Sequence, residues 1–415
     1  MSAALIRAVA LMGPVLAVAA VVAVRRPEEP RIAGALLATG WNVLALSGVN
    51  ALALHLGWWS FHAEGAVALG VPVDLLLGWA LLWGAAPALA VPGAPVPLTA
   101  AVLAWLDLAL MPMAGPVLVL GPDWLLGESA AVACALVPGL LVARWTWTGR
   151  RLRARAAAQV VLAGGLGVVL PLLVTGAWRQ PAWALGLLAQ AMAVPGLLGL
   201  AAVREFAVSG RGTPLPYDPP RRLVTGGPYA YVRNPMQTAM TGGYLLLATL
   251  DVAFLGAAAI AFAYGAGLAA WHEGEQLDAR FGEEWRAYRR AVRPWLPRFR
   301  PAAPPAAVVH VAATCGQCAP VGRWLARRTP VALAVAAAED HPRGLRRITY
   351  ERADGVTAEG VRALASALTH IHLGWALAGW LLGLPGVAWF AQLCVDALGG
   401  GPRTLTQERR LYEPR

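Results

Sequence analysis

One polar segment interrupts the long apolar runs of this chain: Gly212-Thr-Pro-Leu-Pro-Tyr-Asp-Pro-Pro-Arg-Arg-Leu-Val-Thr-Gly-Gly-Pro-Tyr-Ala-Tyr-Val-Arg-Asn-Pro235. Many of the surrounding runs approach the length of about 20 apolar residues that a membrane-spanning helix needs. Irregular backbone beside a bilayer has to be satisfied by protein, water or a ligand. The segment 212–235 is therefore the first place to search for a functional site.

Composition places most of the chain in lipid. Hydrophobic residues make up 58% of the 415 residues and charged residues only 14%, whereas soluble domains carry about 25% charged residues. The formal net charge is +11, and the basic residues, none of which is Lys, cluster beside apolar runs at 144–155, 204–233 and 280–300. This pattern predicts anchoring on the cytoplasmic side of a membrane and no binding of nucleic acid. The four cysteines do not form a disulfide scaffold.

Apolar runs predict an α-helical, multispanning integral membrane protein with about nine spans. The candidate spans are residues 4–24, 33–56, 66–91, 97–120, 128–147, 157–177, 182–203, 235–250 and 252–271. Connectors rich in Arg alternate with connectors that have few or none, which predicts an external N-terminus and a cytoplasmic C-terminal region. The last two spans are short for a full crossing and form a hairpin that turns near Asp251.

The composition changes after this hairpin, where a Pro- and Ala-rich linker at 301–307 leads into a more polar region. Periodicity there predicts three strands and two helices in the order βαββα, which suits a small thioredoxin-like α/β domain. The strands are expected at 308–312, 331–338 and 347–352, and the helices at 319–328 and 359–370.

Two cysteines, in Cys315-Gly-Gln-Cys318, lie between the first of these strands and the first helix. A helix N-terminus lowers the pKa of a nearby thiol. The spacing therefore predicts a redox pair, with Cys315 as the nucleophile and Cys318 as the resolving thiol.

Three motifs in and after the polar segment carry a family resemblance. They are Gly227-Pro-Tyr-Ala-Tyr-Val-Arg-Asn-Pro235, the acidic pair Glu273-Gly-Glu275, and Phe281-Gly-Glu-Glu-Trp-Arg-Ala-Tyr288 before a Pro- and Arg-rich end. In this combination, residues 130–300 resemble the isoprenylcysteine carboxyl methyltransferase-like family of integral membrane methyltransferases, which also includes phospholipid N-methyltransferases. The resemblance implies S-adenosylmethionine as the cofactor, bound at the cytoplasmic membrane boundary, and a lipid or lipophilic molecule as the methyl acceptor.

The resemblance also implies site residues, by their positions in the motifs. Tyr229 matches the cofactor-contacting tyrosine of the family and Glu273 its acidic cofactor ligand. Glu273, Asn234 and Arg233 are the predicted catalytic residues. The predicted cofactor-binding residues are Arg221, Arg222, Leu223, Val224, Tyr229, Tyr231, Asn234, Pro235, Met236, Gln237 and Glu273.

These residue types suit a cofactor that carries a sulfonium cation, an amino acid tail and an adenosine. A Tyr ring face attracts a cation, an Arg holds a carboxylate bidentately, and a Glu accepts hydrogen bonds from an amine or from ribose hydroxyls. Methyl transfer to an ionised nucleophile depends chiefly on alignment, for which effective molarities of about 10⁵ M or more are possible.

The sequence resembles the family more closely at the positions that bind the cofactor than at those that bind the methyl acceptor. Asn234 stands where relatives commonly carry His, and an Asn side chain does not titrate near pH 7. Gln237 replaces a Tyr, and Ala269 stands where eukaryotic prenylcysteine enzymes carry the Arg that meets the substrate carboxylate. A prenylcysteine carboxylate is therefore not the expected acceptor, and a lipophilic carboxylate, amine or thiol remains open.

A second resemblance covers residues 308–403, which are similar to the DCC-type thiol–disulfide oxidoreductase-like family through the CxxC, Trp324-Leu-Ala-Arg-Arg and Leu384-Pro-Gly-Val387. It implies a thiol partner for the CxxC pair and favours a helical pair over a tenth span at 373–393. No metal site is predicted, because zinc needs four ligands and His310 with the distant Cys394 is a poor set.

Several interpretations stay open at this point. The CxxC domain is either redox-active or vestigial, and Asp107, inside a span, is either functional or hydrogen-bonded to a neighbouring helix. A membrane redox protein that binds a quinone-like lipid, or a non-catalytic lipid-binding scaffold, are the rival functions. The predicted regions are residues 1–125 (four spans), 126–300 (methyltransferase core), 301–307 (linker), 308–403 (thioredoxin-like domain) and 404–415 (tail).

Overall fold

A computed structural model describes residues 2–215, 218 and 220–403, except for the side chains of residues 268, 269 and 272. The chain divides into two compact units. The first is Met1–Arg179 with Thr213–Pro219, and the second is Gln180–Gly212 with Pro220–Arg415. The predicted tail at 404–415 lies outside the described residues.

The first unit is built of apolar helices with four short strands. Its helices are α1 (Ala3–Arg25), α2 (Glu29–Leu56), α3 (Val73–Trp83), α4 (Ala85–Ala90), α5 (Val96–Leu110), α6 (Trp124–Ala131), α7 (Val137–Trp147), α8 (Leu152–Gly164) and α9 (Leu170–Thr175). Its strands are β1 (Trp59–Phe61), β2 (Val67–Ala68), β3 (Val71–Pro72) and β4 (Leu118–Leu120). Strands β1 and β4 pair antiparallel, as do β2 and β3.

Proline explains a break in the helices of this unit. A π-helical turn at Val132–Leu136 joins α6 to α7, and Pro138 follows it directly. Proline has no N–H to donate to the carbonyl four residues earlier, and that carbonyl, of Cys134, instead accepts a hydrogen bond from Nε1 of Trp41 at 2.9 Å. A neighbouring helix thus satisfies the backbone group that proline releases, as membrane helices require.

The second unit begins with a long helix, α10 (Ala182–Glu205), extended by a π-helical turn to Gly210. The polar segment follows and contains a short 3₁₀ helix at Gly227–Ala230. Four helices come next: α11 (Pro235–Leu247), α12 (Ala253–Tyr264), α13 (Ala270–Phe281) and α14 (Glu283–Ala291).

Within the described residues, seven helices are long and apolar enough to cross a membrane. They are Ala3–Arg25, Glu29–Leu56, Val73–Ala90, Val96–Ala114, Trp124–Trp147, Leu152–Thr175 and Ala182–Gly210, and they coincide with the first seven predicted spans. The eighth and ninth predicted spans are α11 and α12, of 13 and 12 residues. A helix of 13 residues is about 20 Å long, short of the roughly 30 Å of a hydrocarbon core.

The C-terminal part is a small α/β region. Its elements are β5 (Ala307–Val311), α15 (Cys318–Arg327), β6 (Leu333–Ala337), β7 (Thr349–Arg352), β8 (Thr357–Glu359) and α16 (Val361–Leu368). The strand order is β6-β5-β7-β8, with β5 and β6 parallel and the other pairs antiparallel. The predicted βαββα order lacked β8, since its three residues, Thr-Ala-Glu, carry no apolar run.

Two further helices, α17 (Leu373–Gly383) and α18 (Pro385–Val395), occupy the apolar stretch 373–393 and meet at an angle of 87°. Taken together they could be an eighth, broken span or a re-entrant loop by length and composition. Trp375, Ala378 and Leu382 of α17 pack on the core formed by Val309, Val311 and Leu325. Helix α17 is therefore packed on the α/β region.

Candidate functional site

The part of the polar segment that forms the candidate site begins at Arg221. The backbone N–H of Arg221 donates to the carbonyl of Gly210 at 2.7 Å. Two glycines then bring the backbone against the end of α10. A Cβ on Gly226 would lie 3.0 Å from Oε1 of Glu205, and Gly227 has a φ of +55° and would meet the same side chain at 3.2 Å. Glycine is needed at both positions because of this close approach and, at Gly227, because of the left-handed backbone.

A cluster of aromatic and aliphatic side chains lies beneath the segment, and we call it the aromatic cluster. Its buried members are Ala202, Val224, Tyr229, Trp285, Tyr288 and Val292, with Phe206, Leu223, Met236, Leu277 and Phe281 among those packed on it. The hydroxyl of Tyr288 donates to the backbone carbonyl of Tyr229 at 2.9 Å. The motif Phe281–Tyr288 and the loop motif at 227–235 are thus two sides of one packed structure.

Two polar atoms in the aromatic cluster are buried without a hydrogen-bond partner among the described residues: the hydroxyl oxygen of Tyr229 and Nε1 of Trp285. An unpaired buried donor or acceptor costs about 1–3 kcal/mol. Native structures contain few such groups, and each calls for an explanation. The two atoms belong to two of the three motifs that carry the resemblance, and a bound molecule that hydrogen-bonded to them would be stabilising here.

Glu273 lies near this cluster, on the first turn of α13, and its side chain is half-buried. Burial raises the pKa of Tyr229 well above its ordinary value, and Tyr288, Glu273 and Glu205 raise it further through their charges. The Tyr229 hydroxyl is therefore neutral at physiological pH. Leu277, four residues after Glu273 and on the same face of α13, packs on the aromatic cluster, so this helix face is turned towards it.

The end of the segment is held by the residues that follow α14. The N–H groups of Arg233 and Asn234 donate to the carbonyls of Arg293 and Pro294 at 2.8 and 3.2 Å. The Arg233 guanidinium donates to the carbonyl of Arg289 at 3.1 Å and lies 6.0 Å above the ring of Trp285. Burial lowers the pKa of Arg233. Of the predicted catalytic residues, Arg233 therefore contacts the aromatic cluster directly.

Asn234 and Pro235 start α11, with proline in the first turn, where its missing N–H costs no helical hydrogen bond. Gln237, on the same helix, lies against Gly265. A Cβ atom added to Gly265 would be 3.1 Å from the Cγ atom of Gln237. Trp295 approaches the same glycine. Met236 packs on the aromatic cluster.

Three of the predicted cofactor-binding residues do not belong to the aromatic cluster. Arg221 and Arg222 are exposed, and Arg222 donates to the carbonyl of Asp354 at 2.9 Å. Tyr231 is fully buried in another cluster, with its hydroxyl donated to the carbonyl of Thr369 at 2.8 Å and its ring edge-on to Trp380. In this arrangement Tyr231 anchors the loop to the α/β region.

A buried ion pair, which sequence reasoning missed, lies beside Gly226. Arg352 of β7 bonds to Glu205 at 2.6 Å and to Asp354 at 2.8 Å, and it also contacts the hydroxyl of Ser209. Although burial opposes the charged form, Glu205 and Asp354 raise the pKa of Arg352. No sequence signal joins residues 205 and 352, because their pairing is purely tertiary.

The CxxC pair lies where β5 leads into α15. The N–H of Cys318 donates to Sγ of Cys315 at 3.4 Å, and the Arg403 guanidinium lies 3.9 Å from the same sulfur. The hydrogen bond with Cys318 lowers the pKa of Cys315, helped by backbone N–H groups and Arg403. Burial raises the pKa of Cys318 to about 11. Cys315 is thus the thiol that ionises first.

Glu339 holds the loop before Cys315 by three hydrogen bonds. It accepts from the N–H groups of Ala313 and Thr314 at 3.1 and 2.9 Å, and from the Thr314 hydroxyl at 2.7 Å. Although burial acts in the opposite direction, these hydrogen bonds lower the pKa of Glu339 to about 2.

Asp107, the polar residue inside a span, is buried in the first unit and accepts a hydrogen bond from Nε1 of Trp79 at 2.6 Å. This is the bond to a neighbouring helix that a structural role requires. Glu128, which the sequence analysis did not single out, lies within hydrogen-bonding reach of Asp107. An ionised carboxylate has no proton to donate, so a bond between the two acids needs one shared proton.

Comparison of the chain with protein-family models, with curated proteins and with solved structures finds no match. Function is accordingly inferred from the residues themselves and from their geometry.

Proposed function

We propose that the chain transfers a methyl group from S-adenosylmethionine to a lipophilic, membrane-embedded acceptor at the cytoplasmic membrane face. One observation carries the proposal: the Tyr229 loop, the Glu273 helix and the Trp285–Tyr288 motif converge on an aromatic cluster. Two buried polar atoms of this cluster have no hydrogen-bond partner among the residues that the structure describes. The likeness of the three motifs to integral membrane methyltransferases supplies the reaction class.

The residues present fit such a cofactor. Aromatic faces of Tyr229, Trp285 and Tyr288 suit a sulfonium cation, and the unpaired Tyr229 hydroxyl and Trp285 N–H offer hydrogen bonds to a polar ligand. Glu273 supplies the negative charge for an amine or for ribose hydroxyls. Arg221, exposed at the start of the loop, suits a carboxylate that faces water.

For methyl transfer, the chain's main task would be to position the cofactor and the acceptor. When bound, the cofactor supplies an electrophilic methyl group on a positively charged sulfur. Glu273 and the tyrosines would orient it, and the aromatic cluster would exclude water, so that the methyl group is held in line with the acceptor. Asn234 would bind by hydrogen bonds without moving a proton, because its amide does not titrate.

The acceptor would come from the bilayer. Helices α11 and α12 are too short for an ordinary crossing, and in sequence they lie between the Tyr229 loop and the Glu273 helix. This is consistent with a lipid molecule that enters from the side. We propose a carboxylate, amine or thiol on a lipophilic molecule other than a prenylcysteine, since Ala269 offers no charge to a substrate carboxylate.

The sidedness of the site does not depend on whether α11 and α12 cross the membrane fully. Seven crossings from an external N-terminus bring the chain to the cytoplasmic side after α10. A hairpin returns it to that side whether it spans the bilayer or only enters it. We therefore propose nine membrane-inserted segments and a cytoplasmic C-terminal region.

A second activity, thiol–disulfide exchange, is favoured by the C-terminal region. Its strand order, β6-β5-β7-β8 with one parallel pair, and its CxxC at the start of α15 support a thioredoxin-like fold. The Cys315 thiolate would attack a partner disulfide and release one partner thiolate. Cys318 would then lose its thiol proton to the released partner thiolate and attack the sulfur of Cys315 in the mixed disulfide. This attack releases the second partner thiolate and leaves a Cys315–Cys318 disulfide.

Transfer of a labelled methyl group tests the first activity. Membranes that contain the protein are incubated with S-adenosylmethionine labelled at the methyl group, and the lipid extract is analysed. We expect label in a lipid fraction with the wild type, at least about 100-fold less with Glu273→Gln, and no change with Glu284→Gln, an exposed glutamate of the next helix. Equal labelling with Glu273→Gln would contradict the assignment.

A further inference from the structure

Three metal-binding side chains meet on the α/β region, on residues that the proposed activities do not use. His310 lies on β5, Glu351 on β7, and His341 directly after the turn that ends β6. In the antiparallel register Val308 pairs with Glu351 and His310 with Thr349. Because side chains two residues apart share a face of a strand, His310 and Glu351 project from the same face of the sheet.

The donor atoms of the three side chains are close enough for one ion. The Nε2 atoms of His310 and His341 lie 3.7 and 3.5 Å from the same oxygen, Oε2 of Glu351, and one ligand atom from each residue lies within 4.8 Å of the others. In a tetrahedral site with bonds of about 2.1 Å, neighbouring donor atoms are about 3.4 Å apart. The two nitrogen–oxygen distances are therefore near those of a bound metal.

The two oxygens of Glu351 have separate environments. Oε1 accepts a hydrogen bond from the Arg343 guanidinium, whereas both imidazoles face Oε2. Such a partner, which orients a ligand without touching the metal, is usual around metal sites. Arg343 thus leaves one carboxylate oxygen available to the two imidazoles.

The two imidazoles are shielded from water. Only 14% and 7% of the side-chain surface is exposed at His310 and His341. Few water molecules therefore compete with an ion for their ring nitrogens.

We propose that His310, His341 and Glu351 form a binding site for a divalent transition metal such as Zn²⁺, with a remaining position for water. Two nitrogens and one carboxylate oxygen suit Zn²⁺ and its neighbours, whereas Mg²⁺ and Ca²⁺ prefer all-oxygen sites. A metal here would link β5, β7 and the turn after β6. The sequence does not reveal the set, because its members are 31 and 10 residues apart along the chain.

One contact opposes the site. The N–H of Arg343 donates to Nδ1 of His341 at 3.3 Å, and coordination through Nε2 would move the ring proton to Nδ1 and end this bond. The contact is longer than most N–H hydrogen bonds and involves an exposed backbone group that water can satisfy. The alternative to a metal is a hydrogen-bonded set in which Oε2 of Glu351 accepts from the Nε2–H groups of the two imidazoles.

Zn²⁺ binding to the purified full-length protein separates these two alternatives. The protein is used without a histidine tag and with Cys315→Ser and Cys318→Ser, so that the thiols cannot hold the ion. Zn²⁺ is titrated in competition with a chromophoric chelator. We expect one Zn²⁺ per chain, bound at least about 10-fold more weakly after His341→Gln or Glu351→Gln, and unchanged by His62→Ala, a change at an exposed histidine of the first unit.

The melting temperature is measured in parallel, with and without Zn²⁺. A ligand that binds only the folded state raises it, so we expect a Zn²⁺-dependent rise in the parent and none in Glu351→Gln, whose shape is conserved. Co²⁺ should give the visible absorption of a low-symmetry nitrogen–oxygen site in the parent alone. Equal Zn²⁺ affinity in all variants, or no Zn²⁺ binding and no Co²⁺ absorption in the parent, would overturn the proposal.

Discussion

The aromatic cluster and the CxxC loop differ in how their polar atoms are satisfied. At the aromatic cluster the Tyr229 hydroxyl and the Trp285 N–H are buried without partners in the described part of the chain. At the CxxC loop, Glu339 accepts three hydrogen bonds and Cys315 accepts one from Cys318. The aromatic cluster therefore has unused hydrogen-bonding capacity within the described residues, whereas the polar groups of the CxxC loop are satisfied by the chain itself.

The largest expected effect comes from removing the ion pair that joins the end of α10 to the α/β region. Arg352→Met leaves the largely buried carboxylate of Glu205 without its cation, and breaking a buried pair by removing one partner costs about 3–5 kcal/mol. We expect that loss in the free energy of unfolding, measured in detergent by denaturant titration. Arg346→Met, at an exposed position, should change it by less than about 0.5 kcal/mol; equal losses would show that the pair is not a major contributor.

The next effect separates the two thiols. Cys315 should alkylate as a thiol with a pKa below its ordinary value of 9.0, and Cys318 as one with a pKa of about 11. Because thiolate is the reactive form, Cys315 should react more than about 100-fold faster at pH 8. The rates are measured by mass spectrometry, with the exposed Cys394 as the internal standard. Cys318→Ala should raise the pKa of Cys315, since it removes the side chain that donates a hydrogen bond to the Cys315 thiolate.

A smaller effect tests the unpaired hydroxyl. Tyr229→Phe removes a hydroxyl that has no hydrogen-bond partner among the described residues. The free energy of unfolding of the ligand-free protein should therefore change by less than about 1 kcal/mol. S-adenosylhomocysteine, which would lose a hydrogen bond to this hydroxyl, should bind about 10-fold more weakly. Tyr288→Phe is the matched change. It leaves the buried Tyr229 carbonyl without its donor and should cost about 1–3 kcal/mol. If Tyr229→Phe destabilises as much as Tyr288→Phe, the two tyrosines do not differ as proposed.

The smallest effect concerns pH at the CxxC loop. The pKa of Glu339, about 2, lies below its ordinary value of 4.5. Its contribution to stability is therefore complete above about pH 4.5 and is lost as the pH falls towards 2. Amide hydrogen exchange at Thr314 should rise over this range relative to exchange in Glu339→Gln, which lacks the transition. Parallel behaviour of the two proteins would exclude Glu339 as the group responsible.

Local patterns predicted much of the fold. The seven long helices were predictable because the length of an apolar run is read directly from the sequence. A helix that begins at the CxxC pair was also predictable, and α15 begins at Cys318. Hydrophobicity did not predict where α11 and α12 end, because helix ends depend on turns. It did not predict the three-residue strand β8 either, because that strand depends on pairing with β7.

The candidate site was predictable only in part. The resemblance supplied Tyr229 and Glu273, but the roles of Trp285 and Tyr288 depend on packing against a loop more than 50 residues away. Tyr231 carries the same side chain as Tyr229 two residues later, and yet it packs against Trp380. Neighbouring residues on an irregular loop point to different surroundings, which no periodic pattern describes.

Equilibrium binding of S-adenosylhomocysteine tests the central claim most directly. Calorimetric titration of the purified protein in detergent should give one site per chain, with binding weakened at least about 10-fold by Glu273→Gln and unaffected by Glu284→Gln. No binding to a folded wild-type protein, or equal affinity in Glu273→Gln, would contradict the assignment of the Tyr229 loop and the Glu273 helix to a methyl-donor site.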